Sequence, residues 1–231
     1  MARSKFALPI SFPKISRTIQ DPEARRLIRS HAHQIGEVVN AWTDLQTGCF
    51  MVFQAVLEAQ GLQNLNIVHA LWHSAQSDSA QREMLLAVAR SAFHPKERVF
   101  AQIKWLRDKA ERMAPLRNDP AHTPVSFSFP APGAPSLVPN SFVARDPAVK
   151  RLRENPLNKS WERIRGDFLV LSIFAFAISL AIRNPHSVSL PCRPRILSFP
   201  ASKIEKVKDI ACAENRDPRF HHLVRNLYLM G

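Results

Sequence analysis

Glycine is scarce in this chain, with six in 231 residues, and tyrosine occurs once. Propellers and β-sandwiches turn often and lean on glycine to do it, so the shortage points to helix. Cysteine is equally sparse. Cys49, Cys192 and Cys212 are odd in number, far apart and never in a C-x-x-C pair, which argues against a disulfide framework and a cysteine zinc site. No glycine-rich phosphate loop is present, which argues against an ATPase or a kinase. No repeat of fixed period occurs. The N-terminal stretch MARSKFALPISFPKIS holds only a five-residue apolar run, shorter than a secretory signal needs, so the expected location is cytoplasmic.

Acid is the charge in short supply. Lys and Arg outnumber Asp and Glu by 16 to 11 over residues 1–124 and by 16 to 8 over residues 125–231, for a net charge of +13. A basic surface favours phosphate-bearing partners through counterion release, without sequence specificity. Apolar content of 45% and charged content of 22% are those of a globular chain with a core. The longest apolar run, FLVLSIFAFAISLAI at 168–182, is fenced by Asp167 and Arg183. It is shorter than the roughly 18–20 residues that cross a bilayer, so it is expected as the central, buried helix of a bundle with no membrane contact.

The apolar spacing predicts helix after helix. Asp21-Pro22 is a capping start, and Ile28, Ile35, Trp42, Cys49 and Val56 repeat every seven residues to about Ala59, with a bend expected near Gly36 or Gly48 and a stop at Gly61. NLNIVHALWHSAQ forms a second helix with Ile67, Val68, Leu71, Trp72 and Ala75 on its apolar face. A third follows, with Asp78 and Gln81 as its capping box. His94-Pro95 opens a fourth, along which Val99, Ile103, Leu106, Ala110 and Met113 keep helical spacing until Pro115 ends or kinks it. Residues 126–140 are a proline-rich connector with a short strand or extended run, and 160–184 form the fifth helix. Two short basic helices are expected near the C-terminus. The fold class is therefore all-α, a bundle of about five main helices. Residues 1–20 form an N-terminal extension, 21–200 the bundle and 201–231 a basic C-terminal appendage.

The stretch APLRNDPAHTPV, 114–125, places Arg117, Asn118 and His122 at the expected end of the fourth helix. An arginine followed four to six residues later by a histidine is a poor signal alone. With this composition about two or three such pairs arise by chance, and Arg26–His31 and Arg216–His221 also match. Context separates them. Arg26 and His31 lie in the middle of a helix, about 140° apart, and Arg216 and His221 lie in the basic tail. A helix break at Pro115 would let Arg117 and His122 turn to one side.

RNDPAH resembles the R-N-x-x-x-H signature of the HEPN superfamily, helical bundles that include many metal-independent ribonucleases. The flanking AWTDLQTGCFMVF, LWHSAQSDSAQREMLLAVA, IKWLRDKAERMAPLRNDPAHTPV and DFLVLSIFAFAISLAI resemble a proteobacterial group with HEPN-like character, over roughly residues 38–197. The resemblance implies an endoribonuclease of toxin–antitoxin or phage-defence systems that leaves 2′,3′-cyclic phosphate ends. It implies Arg117 on the phosphate, His122 as proton carrier and Asn118 as an orienting group, with no cofactor and no metal. It further implies a homodimer in which two motifs face one cleft, and an antitoxin or defence-system partner protein. Many HEPN members are not catalytic, so a helical module that binds RNA or a protein stands as the alternative.

His69 and His73 are one helical turn apart, a geometry used for metals, but no third ligand is indicated and a structural role is expected. Trp42, Trp72, Trp105 and Trp161 are expected in the core rather than under bases. His221 and His222, beside Arg219 and Arg225, are a basic tail able to touch phosphate. Asp44 and Asp78 are acids able to enter the cleft as supporting polar groups, which the sequence does not show.

Overall fold

A computed structural model gives the fold, and it describes residues 21–122, 124–128, 136–140 and 157–197, with Ala121 and His122 described by backbone alone. Among these residues five helices follow one another: α1 (Pro22–Ala59), α2 (Leu65–Ser74), α3 (Asp78–Ala92), α4 (Arg98–His122) and α5 (Leu157–Arg183). A two-stranded antiparallel hairpin, β1 (Val125–Ser128) with β2 (Ser136–Pro139), lies between α4 and α5 and pairs Val125 with Pro139 and Ser128 with Ser136. The molecule is mostly helical, as the glycine shortage implied. The two short basic helices expected in 201–231 lie outside the described residues.

Local chemistry sets the helix ends. Asp21 accepts a hydrogen bond from the Glu23 amide at 2.8 Å, and Pro22 follows in the first turn, where its missing N–H costs nothing. Gly61, at φ +88°, makes the left-handed turn after α1. Asn64 caps α2 through the amides of Asn66 and Ile67. The α3 cap is Ser77, whose hydroxyl accepts from the Ala80 amide, rather than the expected Asp78. Asp78 is thereby the first residue inside α3, and its carboxylate is free to turn toward other helices.

One expectation about helix continuity fails. Helix α1 runs unbroken for 38 residues through Gly36 and Gly48. Pro115, however, does not end α4, which passes through both Pro115 and Pro120 to His122. Proline in a helix loses a donor and crowds the carbonyl four residues earlier. Packing outweighs that cost here, because Met113, Leu116, Asp119 and Pro120 are all buried on this stretch while Pro115 itself faces solvent.

The most extensive helix contact is between α1 and α5. His31 meets Trp161, Glu37 meets Arg165 at 2.9 Å, the Asp44 carbonyl accepts from the Ser172 hydroxyl at 3.0 Å, and Glu58 accepts from Arg183 at 2.7 Å. Partners rise together along both helices, so the two run parallel. The seven-residue repeat of α1 faces one in α5, and Trp42 meets Phe168 edge to face at 5.0 Å. The approach is closest at Gly48, where an added Cβ would lie 2.9 Å from the Ala175 Cβ and 3.1 Å from the Ser172 carbonyl. Helices α3 and α4 close one side of this pair with Leu85, Ala89, Ile103, Leu106 and Met113. The segment after α5 straps across α4. Arg193 donates to Gln102 and to the Ala101 carbonyl, and the Leu197 amide donates to Asp167.

Burial corrects two predicted faces. Helix α2 buries Val68 and Trp72 against its main neighbours α1 and α3 but leaves Ile67 and Leu71 exposed. Helix α5 is buried on one face rather than all round. Phe168, Leu171, Phe174, Ala175 and Ile178 are in the core, whereas Leu169, Ile173, Phe176 and Leu180 are half-buried. By length and composition α5 could cross a membrane, and half of its apolar window is buried inside the fold, which is compatible with a soluble protein.

Candidate functional site

Arg117 lies in the last turns of α4, and its side chain is 39% exposed. Its Nη1 donates to Asp78 Oδ2 at 3.0 Å and its Nε donates to Asn118 Oδ1 at 3.1 Å. The same Asp78 oxygen accepts from the indole Nε1 of Trp42 at 2.9 Å. Three helices thus meet at one carboxylate: α1 through Trp42, α3 through Asp78, α4 through Arg117. Asn118 is exposed beside it. Of the two acids named from sequence, Asp78 enters this cluster. Asp44 is exposed, and no described bond joins its side chain to the cluster.

Two cations flank the Trp42 ring. The Arg117 Cζ lies 5.6 Å from its centroid and the Arg82 Cζ 5.4 Å. Arg82 is 1% exposed and gives two hydrogen bonds to Glu111 Oε2, at 3.1 Å from Nε and 2.8 Å from Nη2. Ser79 donates to the same carboxylate. The Arg82 bonds hold the Glu111 carboxyl below its ordinary range. Arg82 Nη1 is buried without a hydrogen-bond partner among the described residues. Burial pushes the thiol of the adjacent Cys49 up to about 12, against a smaller opposing pull from Arg82, so it stays protonated and unreactive. Two arginines and two carboxylates balance, so the cluster is neutral although the chain carries +13.

Sequence reasoning passed over Arg82 and Glu111. The signal was present: residues 82, 85, 86 and 89 share the buried face of α3, and an arginine in that phase needs an acid opposite it.

His122 is the last residue of α4, and its imidazole lies outside the described side chains. Because the helix is unbroken, the backbone at 122 lies about 140° round the axis from that at 117. The expected release of both residues from helical phase by a break at Pro115 is therefore overturned. Arg216, His221 and His222 lie outside the described residues.

The remaining histidine pair is on α2. His69 and His73 stack with ring centroids 6.0 Å apart, and His69 also packs on Phe50. Among the described residues no group of three or more His, Cys, Asp or Glu side chains is placed to hold a metal. Trp42, Trp72 and Trp161 are buried and Trp105 is half-buried, between Phe174 and the cations of Lys109 and Arg193.

The chain matches no protein-family model, and no curated protein or solved structure is similar to it.

Proposed function

We propose that this chain is a metal-independent endoribonuclease of HEPN type, acting as a homodimer in a toxin–antitoxin or phage-defence setting. The observation that carries the reading is the partly exposed side chain of Arg117, held by Asn118 and by the Trp42 ring. A planar fork held in this way meets a phosphodiester with little ordering cost. The RNDPAH signature and the net charge of +13 add to it.

In the proposed reaction the ribose 2′-oxygen attacks the adjacent phosphorus and loses its proton to a base. The P–O2′ bond forms, the P–O5′ bond breaks, and the departing 5′-oxygen takes up a proton. Arg117 stabilises the charge that builds on the phosphoryl oxygens. His122 carries one of the two protons and Asn118 orients the phosphate. A second copy of the chain supplies the other histidine, which also answers the helical phase between 117 and 122.

Incubation of purified protein with RNA tests this. Products ending in 2′,3′-cyclic phosphate are expected, unaffected by chelator. His122→Ala should slow cleavage by about 10²–10⁴-fold with binding nearly intact, and Arg117→Lys should also fail. No cleavage, or wild-type cleavage by His122→Ala, sinks the enzyme reading.

The second reading is a non-catalytic helical module that binds RNA or a protein. The unbroken α4 favours it, as does the neutral charge balance around Arg117. Salt-dependent RNA binding with no products at any protein concentration is its expected outcome.

A further inference from the structure

The carboxylate of Asp78 accepts from Arg117 Nη1, on the side of the guanidinium fork where a phosphate would compete with it. We propose that Asp78 is a built-in competitor for the phosphate site, seated on Arg117 in the resting protein and displaced when RNA arrives. This rests on the reading of Arg117 as a phosphate-binding group.

The geometry lets the contact open without stranding a charge. Asp78 and Arg117 are 38% and 39% exposed, so their attraction is screened by water and worth little, as in other exposed pairs. When Arg117 leaves, Asp78 keeps the Trp42 Nε1 hydrogen bond. It also sits in the first turn of α3, where the helix dipole favours a negative charge, with the buried Arg82 cation over the same indole. Arg117 for its part keeps Asn118 and the Trp42 ring in either state.

A tethered competitor selects by valency. Asp78 is held next to Arg117 at a high effective concentration, which a lone phosphate or mononucleotide must outcompete unaided. An RNA strand has the rest of a +13 protein to hold its other phosphates, so only the strand displaces Asp78 readily. The resting site is thereby closed to small anions and open to polymers.

The test is binding of a 2′-O-methyl RNA, which has no 2′-hydroxyl to react, followed by fluorescence anisotropy at fixed salt. Five full-length proteins are compared: wild type, Asp78→Asn, Arg117→Ala, the double variant, and Glu162→Gln, which removes an exposed acid outside the cluster. Asp78→Asn should bind roughly two- to fivefold tighter than wild type, the size an exposed ion pair allows, and tighter than Glu162→Gln. The gain should vanish in the Arg117→Ala background. Should the amide disturb the start of α3, seen as a lowered Tm, Asp78→Ser takes its place. Equal or weaker binding by the Asp78 variant overturns the proposal, and so does a gain that survives loss of Arg117. If Arg117→Ala weakens binding but Asp78→Asn brings no gain, the competitor alone is rejected. If Arg117→Ala binds as wild type does, Arg117 is not the phosphate group, and both this inference and the assigned site fall together.

Discussion

Arg82 and Glu111 belong to different helices and share one carboxylate oxygen, with two donors of a buried guanidinium converging on Oε2. The bond joins α3 to α4 beneath Trp42. Glu111→Gln should cost about 1.5–3 kcal/mol, as for hydrogen bonds to a charged group, read as a lower urea midpoint with unchanged m. The pH dependence follows from the lowered Glu111 carboxyl. Its stabilising contribution is present above the ordinary value of 4.5 and is lost as pH falls through the depressed folded value. The Gln variant should therefore lose less stability than wild type on acidification below about pH 4.5. Parallel pH profiles for the two proteins would mean the bond is not formed.

Gly48 and Gly36 should respond oppositely to the same substitution. Gly36 has open space around its missing Cβ, so Gly36→Ala should stabilise the protein by about 0.5–1 kcal/mol through helix propensity. Gly48→Ala gains the same propensity but drives a methyl into Ala175 and the Ser172 backbone, for a net loss of about 1–3 kcal/mol. Thermal melts of both variants check this. A stabilised Gly48→Ala would mean α1 and α5 lie further apart than described.

Phe174 and Phe176 report which face of α5 is enclosed. Phe174→Ala should cost about 3–5 kcal/mol, since the ring is 2% exposed against Trp105. Phe176→Ala should cost only about 1–2 kcal/mol, because this residue is only partly buried. Equal costs in chemical denaturation would return α5 to the fully enclosed helix that its composition suggested.

Affinity for single-stranded RNA should fall steeply with salt. The slope of log K against log salt is about −0.7 per phosphate contact. Arg117→Ala should make it shallower by about that amount. A flat titration removes RNA as a partner.

The helices were legible because their signals are local. Asp21-Pro22, the seven-residue apolar repeat and Gly61 bound α1 by rules that need no tertiary information. The failures came where packing overrules propensity. Pro115 reads as a stop, yet the buried residues on either side of it hold the helix through to His122. Ile67 and Leu71 read as core, yet nothing packs over that face of α2 among the described residues. The candidate site was half legible. Arg117 stood out, whereas Asp78 read as part of a capping box, and their meeting depends on Ser77 taking the cap and freeing Asp78, a choice between adjacent residues that composition does not decide. Arg82 keeps phase with the buried Leu85, Leu86 and Ala89, but its partner Glu111 lies on another helix, which no local signal names.

The parallel pairing of α1 with α5 also sets a clock on synthesis. Trp42 meets Phe168, and at about 5–20 residues per second the ribosome delivers the later residue roughly 6–25 s after the earlier one. Segments already made close a loop in well under a millisecond. The pairing therefore waits on translation rather than on diffusion of the chain. Throughout that delay the apolar stripe of nascent α1 has no α5 to cover it. It is then open to a chaperone or to the same stripe on a neighbouring nascent chain, so expression at high ribosome density is where this protein is most exposed to misassembly.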